Sequence, residues 1–142
     1  MSAAEPPQFL DSNVLVYAFD HAAGHKSALA RKRVVDLWQR GSGCLSIQVL
    51  QEFFVSVTAK ISRPLSPPEA RREIAYLSRW RVHRPRASDV LSAIDLRERL
   101  QISFWNAMIL QSALSLGCRI LWTEDLNDGQ TYEGVTVRSP FA

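Results

Sequence analysis

The sequence predicts an α/β fold of three layers, with a mainly parallel central sheet and helices on both faces. Three observations lead there. Short strand-like runs (Phe9-Leu10, Cys44-Leu45, Val82-His83 and Arg119 to Thr123) alternate with longer amphipathic stretches, the alternation that parallel sheets require. Strands separated by helices are joined by right-handed crossovers. Two of the runs end on acids, at Asp11 and at Glu124-Asp125, which places carboxylates at the carboxyl ends of strands, where open α/β sheets build their sites. Carboxylates gathered from distant strand ends repel one another, and a fold keeps such a cluster with a hard cation, Mg²⁺ or Mn²⁺.

The elements follow in order. Phe9-Leu10 is the first strand. Val14 to Phe19 could continue it by composition, but Asp11-Ser12-Asn13 is the punctuation of a turn and a helix start. A second helix, from about Gly24 to Gln39, sets Ala28, Leu29, Val35, Leu37 and Trp38 beside Lys26, Arg31, Lys32 and Arg33 until Gly41-Ser42-Gly43 breaks it. Cys44-Leu45 is the next strand, and Ser46 caps a helix to about Lys60. Ser66-Pro67-Pro68-Glu69 joins a capping box to proline in the first turn, opening a helix that ends near Arg79. Val82-His83 is a short strand. Ser88 opens a helix to about Leu100, and Ser103 opens another to about Leu116, closed by Gly117. Gly134 precedes Val135-Thr136-Val137, an alternating pattern read as an edge strand. No repeat, low-complexity tract or linker interrupts this order.

A chain of 142 residues, 46% hydrophobic and 22% charged, is expected to form one soluble globular domain over residues 1–142, large enough to bury a core without disulfide or metal staples. No stretch approaches a membrane span, and Met1 to Pro7 lacks the apolar core of a signal peptide. A cytoplasmic protein is therefore expected. Cys44 and Cys118 stand apart, with neither CxxC nor metal-ligand spacing, and are expected to be buried free thiols. The formal charge of +3 and pI of about 9.2 are modest and matter only through where the charges lie.

Four positions are candidates for chemistry, and each also has a plain structural role. Asp11 suits a helix cap. Glu52 lies off the stripe of Val49, Leu50, Phe53, Phe54 and Val57, where a solvated glutamate is ordinary. Asn106 falls in the first turn of a helix that is apolar nearly all round, as a capping participant or a site residue. Asp125, with Glu124 and Asp128, borders Asn127-Asp128-Gly129, which is turn chemistry. Taken singly, the structural roles are at least as good.

Taken together, four segments resemble the PIN-domain nucleases, specifically VapC-type toxins. They are Phe9 to Asp20, Ser46 to Phe53, Ile102 to Ala107 and Leu121 to Gln130, and the resemblance runs on to the closing Val135 to Phe141. It implies a PIN-like fold and a metal-dependent ribonuclease of a toxin–antitoxin pair, a homodimer inhibited by a small cognate antitoxin. It also implies an acidic set of Asp11, Glu52 and Asp125 around Mg²⁺ or Mn²⁺, with Asn106 where the family normally has Asp. Asn keeps a carbonyl oxygen that can bind a metal or a metal-bound water, but it has no charge and cannot accept a proton as a carboxylate does. Asn13, Thr123 and Asp128 are the expected hydrogen-bonding partners of the acids.

An acidic pocket admits a polyanion only between cationic flanks, so Lys26, Arg31, Lys32, Arg33, Arg79 and Arg81 are expected in part to meet RNA phosphates, although a charged helix face is more often simply solvated. Tyr17, Trp38, Trp80 and Trp105 could stack on bases, with core packing as the commoner role. His21 and His25 stand four apart, which without further ligands is a weak zinc signal. A catalytically silent PIN-derived binding module is the main rival. Receiver domains and haloacid-type phosphatases fit poorly, because the expected late lysine and the expected pair of flanking aspartates are missing.

Overall fold

The computed structural model describes residues 5–142, so the first four residues of the N-terminal segment considered above lie outside the described residues. The chain runs β1 (Gln8–Leu10), α1 (Ser12–Phe19), a 3₁₀ turn (His21–Ala23), α2 (His25–Arg40), β2 (Gly43–Ser46), α3 (Ile47–Ala59), α4 (Pro67–Leu77), β3 (Arg81–His83), α5 (Ala87–Leu100), α6 (Phe104–Ser115), β4 (Ile120–Trp122), β5 (Thr131–Tyr132) and β6 (Val135–Arg138). The strands form one sheet in the order β3-β2-β1-β4-β6-β5, parallel except for β5. The chain moves outward from β1 through β2 to β3 and then returns to β4 on the other side of β1. Right-handed crossovers therefore put α1 to α4 on one face and α5 and α6 on the other, and the reversal falls between β1 and β4.

The helix starts follow from their side chains. The Ser46, Ser66 and Ser103 hydroxyls accept from the backbone N–H groups of Val49, Glu69 and Asn106 at 3.3, 3.3 and 3.1 Å, and Glu69 closes a capping box on the Ser66 N–H at 3.0 Å. The α5 helix starts one residue before the expected Ser88, because the Asp89 carboxylate accepts the Arg86 N–H at 2.8 Å and makes Arg86 the cap. The α4 helix stops at Leu77 rather than near Arg79. There the Trp80 ring turns in over Gly43, so close that a Cβ at position 43 would fall within it.

One expectation is overturned. Val135–Arg138 is not an edge strand, because β6 lies between β4 and β5. The two-residue β5 forms the edge, joined to β6 by a hairpin whose loop residues, Glu133 and Gly134, both have positive φ, at 52° and 89°. Hairpins of this length favour that geometry because it matches the strand twist. Leu10, Leu15, Leu45, Val49, Phe53, Leu110, Leu121 and Val137 fill a continuous core. Cys44 and Cys118 are buried free thiols, as expected. Among the described residues no helix is long and apolar enough to cross a membrane.

Candidate active site

The site forms where β1 and β4 end side by side. Leu10 pairs with Trp122 in the sheet register, and the Asp11 N–H donates to the Trp122 carbonyl at 3.0 Å. The next residues, Asp11 and Thr123, consequently stand together at the carboxyl end of the sheet, at the switch point where such folds bind ligands. Asp11 caps a helix and also bonds across to β4. Its Oδ1 accepts the Ser12 N–H at 2.7 Å to start α1, and its Oδ2 accepts the Thr123 hydroxyl at 2.8 Å.

Asn13 and the backbone after β4 brace this contact. The Asn13 amide donates to Thr123 Oγ1 at 3.2 Å, its Oδ1 accepts the Glu124 N–H at 3.4 Å, and the Asp125 N–H donates to Thr123 Oγ1 at 3.0 Å. Glu52, in the second turn of α3, is tied to α1 by Ser12, whose hydroxyl donates to Oε1 at 3.0 Å. Ser12 was not among the residues expected at the site. Its only sequence signal is that it follows Asp11 at the first helical position.

The amino end of α6 reaches the same end of the sheet. Gln48, in the first turn of α3, donates to the Trp105 carbonyl at 3.4 Å, and Asn106 follows in the α6 turn capped by Ser103. The Asn106 side chain is half-buried and makes no hydrogen bond to a described residue. Asp128 stands apart from the others: its Oδ1 accepts the Ser139 N–H at 2.8 Å, tying the loop to the segment after β6.

Electrostatics single out Asp11. It is 3% exposed. Burial pushes its carboxyl up to about 7 against the pull of the Thr123 hydroxyl and the Ser12 N–H, and the negative charges of Asp125 and Glu52 push the same way. The three acids therefore share one electrostatic neighbourhood. Among the described residues no three His, Cys, Asp or Glu side chains converge closely enough to hold one ion between them, and that includes the neighbours of the exposed His21 and His25. Glu124 is engaged elsewhere, 2.8 Å from the Lys26 ammonium, which it holds above the usual lysine range. Lys26 also lies 5.0 and 5.1 Å from the ring centroids of Tyr17 and Phe141.

The remaining basic and aromatic residues separate by position. Arg31 and Lys32 are exposed along α2, and Arg33 lays its guanidinium 3.9 Å from the Trp122 ring centroid. Arg79 and Arg81 lie at the amino ends of β2 and β3, the opposite end of the sheet from Asp11. Tyr17 packs edge-on against Phe141 and Trp38 against Trp80, whereas Trp105, next to Asn106, is 62% exposed.

A model of the PIN domain matches residues 9–129. The chain belongs to the PIN-domain family. The fold is similar to that of several solved structures. One is a toxin–antitoxin complex from Klebsiella pneumoniae, at 20% identity and TM-score 0.69, covering 94% of this chain and 97% of that one. A second is DNA-bound VapBC from Salmonella typhimurium, at 18% identity and TM-score 0.66, covering 96% and 99%. A third is VapC20 of Mycobacterium tuberculosis, a toxin that cleaves the sarcin-ricin loop, at 16% identity and TM-score 0.60, covering 80% and 85%. No curated protein sequence matches the chain.

Proposed function

We propose that this PIN-domain protein is a divalent-metal-dependent endoribonuclease, the toxin of a toxin–antitoxin pair, with Asp11, Glu52 and Asp125 as its metal-holding acids and Asn106 in the fourth place. The observation that carries the reading is the buried Asp11 carboxylate at the switch point, held by three hydrogen-bonding neighbours, Ser12, Asn13 and Thr123, yet destabilised as an anion by burial and by two nearby acids. A fold that concentrates negative charge in this way is suited to a cation. The donors are all oxygens, which fits Mg²⁺ or Mn²⁺. An incomplete convergence of acids also fits an ion of this kind, since Mg²⁺ is commonly held by one or two carboxylates and keeps several waters.

Asp11 and Asp125 would ligate the ion, with Glu52 and the Asn106 carbonyl oxygen completing its surroundings. When bound, the ion neutralises phosphodiester oxygens and lowers the pKa of a coordinated water. The chain's own residues do the rest. Thr123 and Asn13 fix the orientation of Asp11, and Ser12 holds one oxygen of Glu52 and leaves the other to orient water. The resemblance to toxins found in complexes with antitoxins supports an antitoxin as partner. A homodimer is supported by an apolar face on α5, where Val90, Leu91 and Ile94 are 37, 64 and 42% exposed at positions that share one side of a helix. Tyr76 on α4 is also exposed, whereas Leu77 beside it is 5% exposed and belongs to the core.

The test is single-turnover cleavage of a structured RNA with Mg²⁺ or Mn²⁺, comparing the protein with Asn106→Asp and using Asp11→Ala to control for contaminating nuclease. Restoring a carboxylate should raise the rate by about one to three powers of ten, the scale of a recovered transition-state interaction. Cleavage that is robust with Asn106 and no faster in Asn106→Asp would show that position 106 is not a missing catalytic acid. Asn106 also favours a second reading, a silent PIN-derived binding module. That reading takes over if neither form cuts RNA while both bind a partner.

A further inference from the structure

We propose that Arg33 and Arg138 form a subsite for one phosphodiester of the RNA strand flanking the cleavage position, in a pocket beside β6. The proposal rests on the ribonuclease reading above. Trp122 and Arg138 are paired in register on β4 and β6, so their side chains stand on the same face of the sheet. On that face Arg33 reaches over from α2 to stack on Trp122 at 3.9 Å. Between them opens a pocket of about 310 Å³, lined also by Asp128, Ser139 and Pro140.

The cations of this pocket are under-satisfied. Arg33 has one acidic partner, Asp36, at 3.3 Å from Nη1, and its Nε–H is buried without an acceptor among the described residues. Burial, and then the like charges of Arg40 and Arg138, work against the Arg33 charge, which Asp36 offsets only in part. Arg138 is exposed and forms no ion pair within the described residues. Two guanidiniums facing one space repel each other until an anion enters, and their planar forks match phosphate oxygens. Asp128, on the same wall, has one oxygen taken by the Ser139 N–H.

The pocket's place suits a flanking nucleotide. Leu10, Trp122 and Arg138 form one row across β1, β4 and β6, so Arg138 lies roughly two strand spacings, ~10 Å, from the end of β1 that carries Asp11. A single strand bridges that distance within a few nucleotides. The stacked Arg33 cannot swing away without losing its contact with Trp122, so the phosphate is met by a fixed donor.

The experiment measures fluorescence anisotropy of a labelled single-stranded RNA with divalent ions chelated, over a series of salt concentrations, for the protein, Arg138→Ala and Arg138→Lys. Arg138 is exposed, so neither variant disturbs the core. Arg138→Ala should bind about 3- to 10-fold more weakly, with the slope of log affinity against log salt reduced by about 0.7, the share of one phosphate on a single strand. Arg138→Lys should recover most of the slope. An Arg138→Ala protein with unchanged affinity and slope overturns the subsite, as does a parent protein that binds no RNA. The two proposals fail separately. Metal-dependent cleavage with no effect of Arg138→Ala on binding removes the subsite and leaves the nuclease, whereas Arg138-dependent binding without cleavage by either the parent or Asn106→Asp removes the nuclease and leaves a phosphate site with no cleavage position beside it.

Discussion

Asp11 has two tasks with opposite demands. As a helix cap it is satisfied by hydrogen bonds, and as a buried anion beside two acids it is penalised. Its carboxyl sits at about 7 in the folded protein against an ordinary 3.8, so the folded state holds this proton more tightly than the unfolded state. The contribution of this group to stability is therefore highest where it is protonated in both states. It falls as pH rises from about 4 to about 7 and changes no further above that. Asp11→Asn, uncharged throughout and still able to cap α1, should unfold at a higher temperature. The gain should grow from pH 5 to pH 8 and reach on the order of 1–4 kcal/mol at pH 8. Adding Mg²⁺ at pH 8 should raise the midpoint of the parent more than that of the variant and so narrow the gap. Thermal unfolding of the two proteins over this pH range checks it. A difference that stays flat with pH would show that the Asp11 charge carries no penalty.

At the scale of elements, the approach of Trp80 to Gly43 decides how the outer part of the sheet closes. Trp80 ends the α4 segment and covers the start of β2, and a side chain at position 43 has no room beneath the ring. Gly43→Ala should destabilise by about 1–3 kcal/mol through overpacking, read as a lower urea midpoint with an unchanged slope. A midpoint equal to the parent's would mean that Trp80 moves aside freely. This packing was not legible in the sequence, whereas the helix starts were, because Ser46, Ser66 and Ser103 announce themselves by chemistry that acts within three residues. Where the cap was Arg86, aided by Asp89 from three residues on, the start was misplaced by one. The β5 strand was missed for a related reason: two residues carry no periodicity, and Glu133 is an unusual occupant of a left-handed turn position. At the site, the acids at strand ends could be read from sequence and brought close by the register of β1 and β4, but the Ser12–Glu52 contact joins two helices whose relative placement only the packed core supplies.

For the whole molecule, the apolar face of α5 makes association with a second copy the expected state. Light scattering should give twice the chain mass, and Leu91→Glu, which puts a charge at the most exposed of those apolar positions, should give a monomer with its unfolding midpoint changed little at low concentration. A parent protein that is monomeric at every accessible concentration removes the dimer. The switch-point topology carries a different consequence, for the order of folding. Asp11 and Thr123 touch across 112 positions of chain, and the strand that brings Thr123 into place comes only after β2, β3 and both helical layers have been synthesised. Loop closure of that length is slow and is rewarded only when the intervening structure exists. On the proposed reading, a growing chain on the ribosome therefore carries Asp11, Glu52 and Asn106 for most of its synthesis without a site to put them in, and any chain released before β4 would be an incomplete protein that is also an inert one.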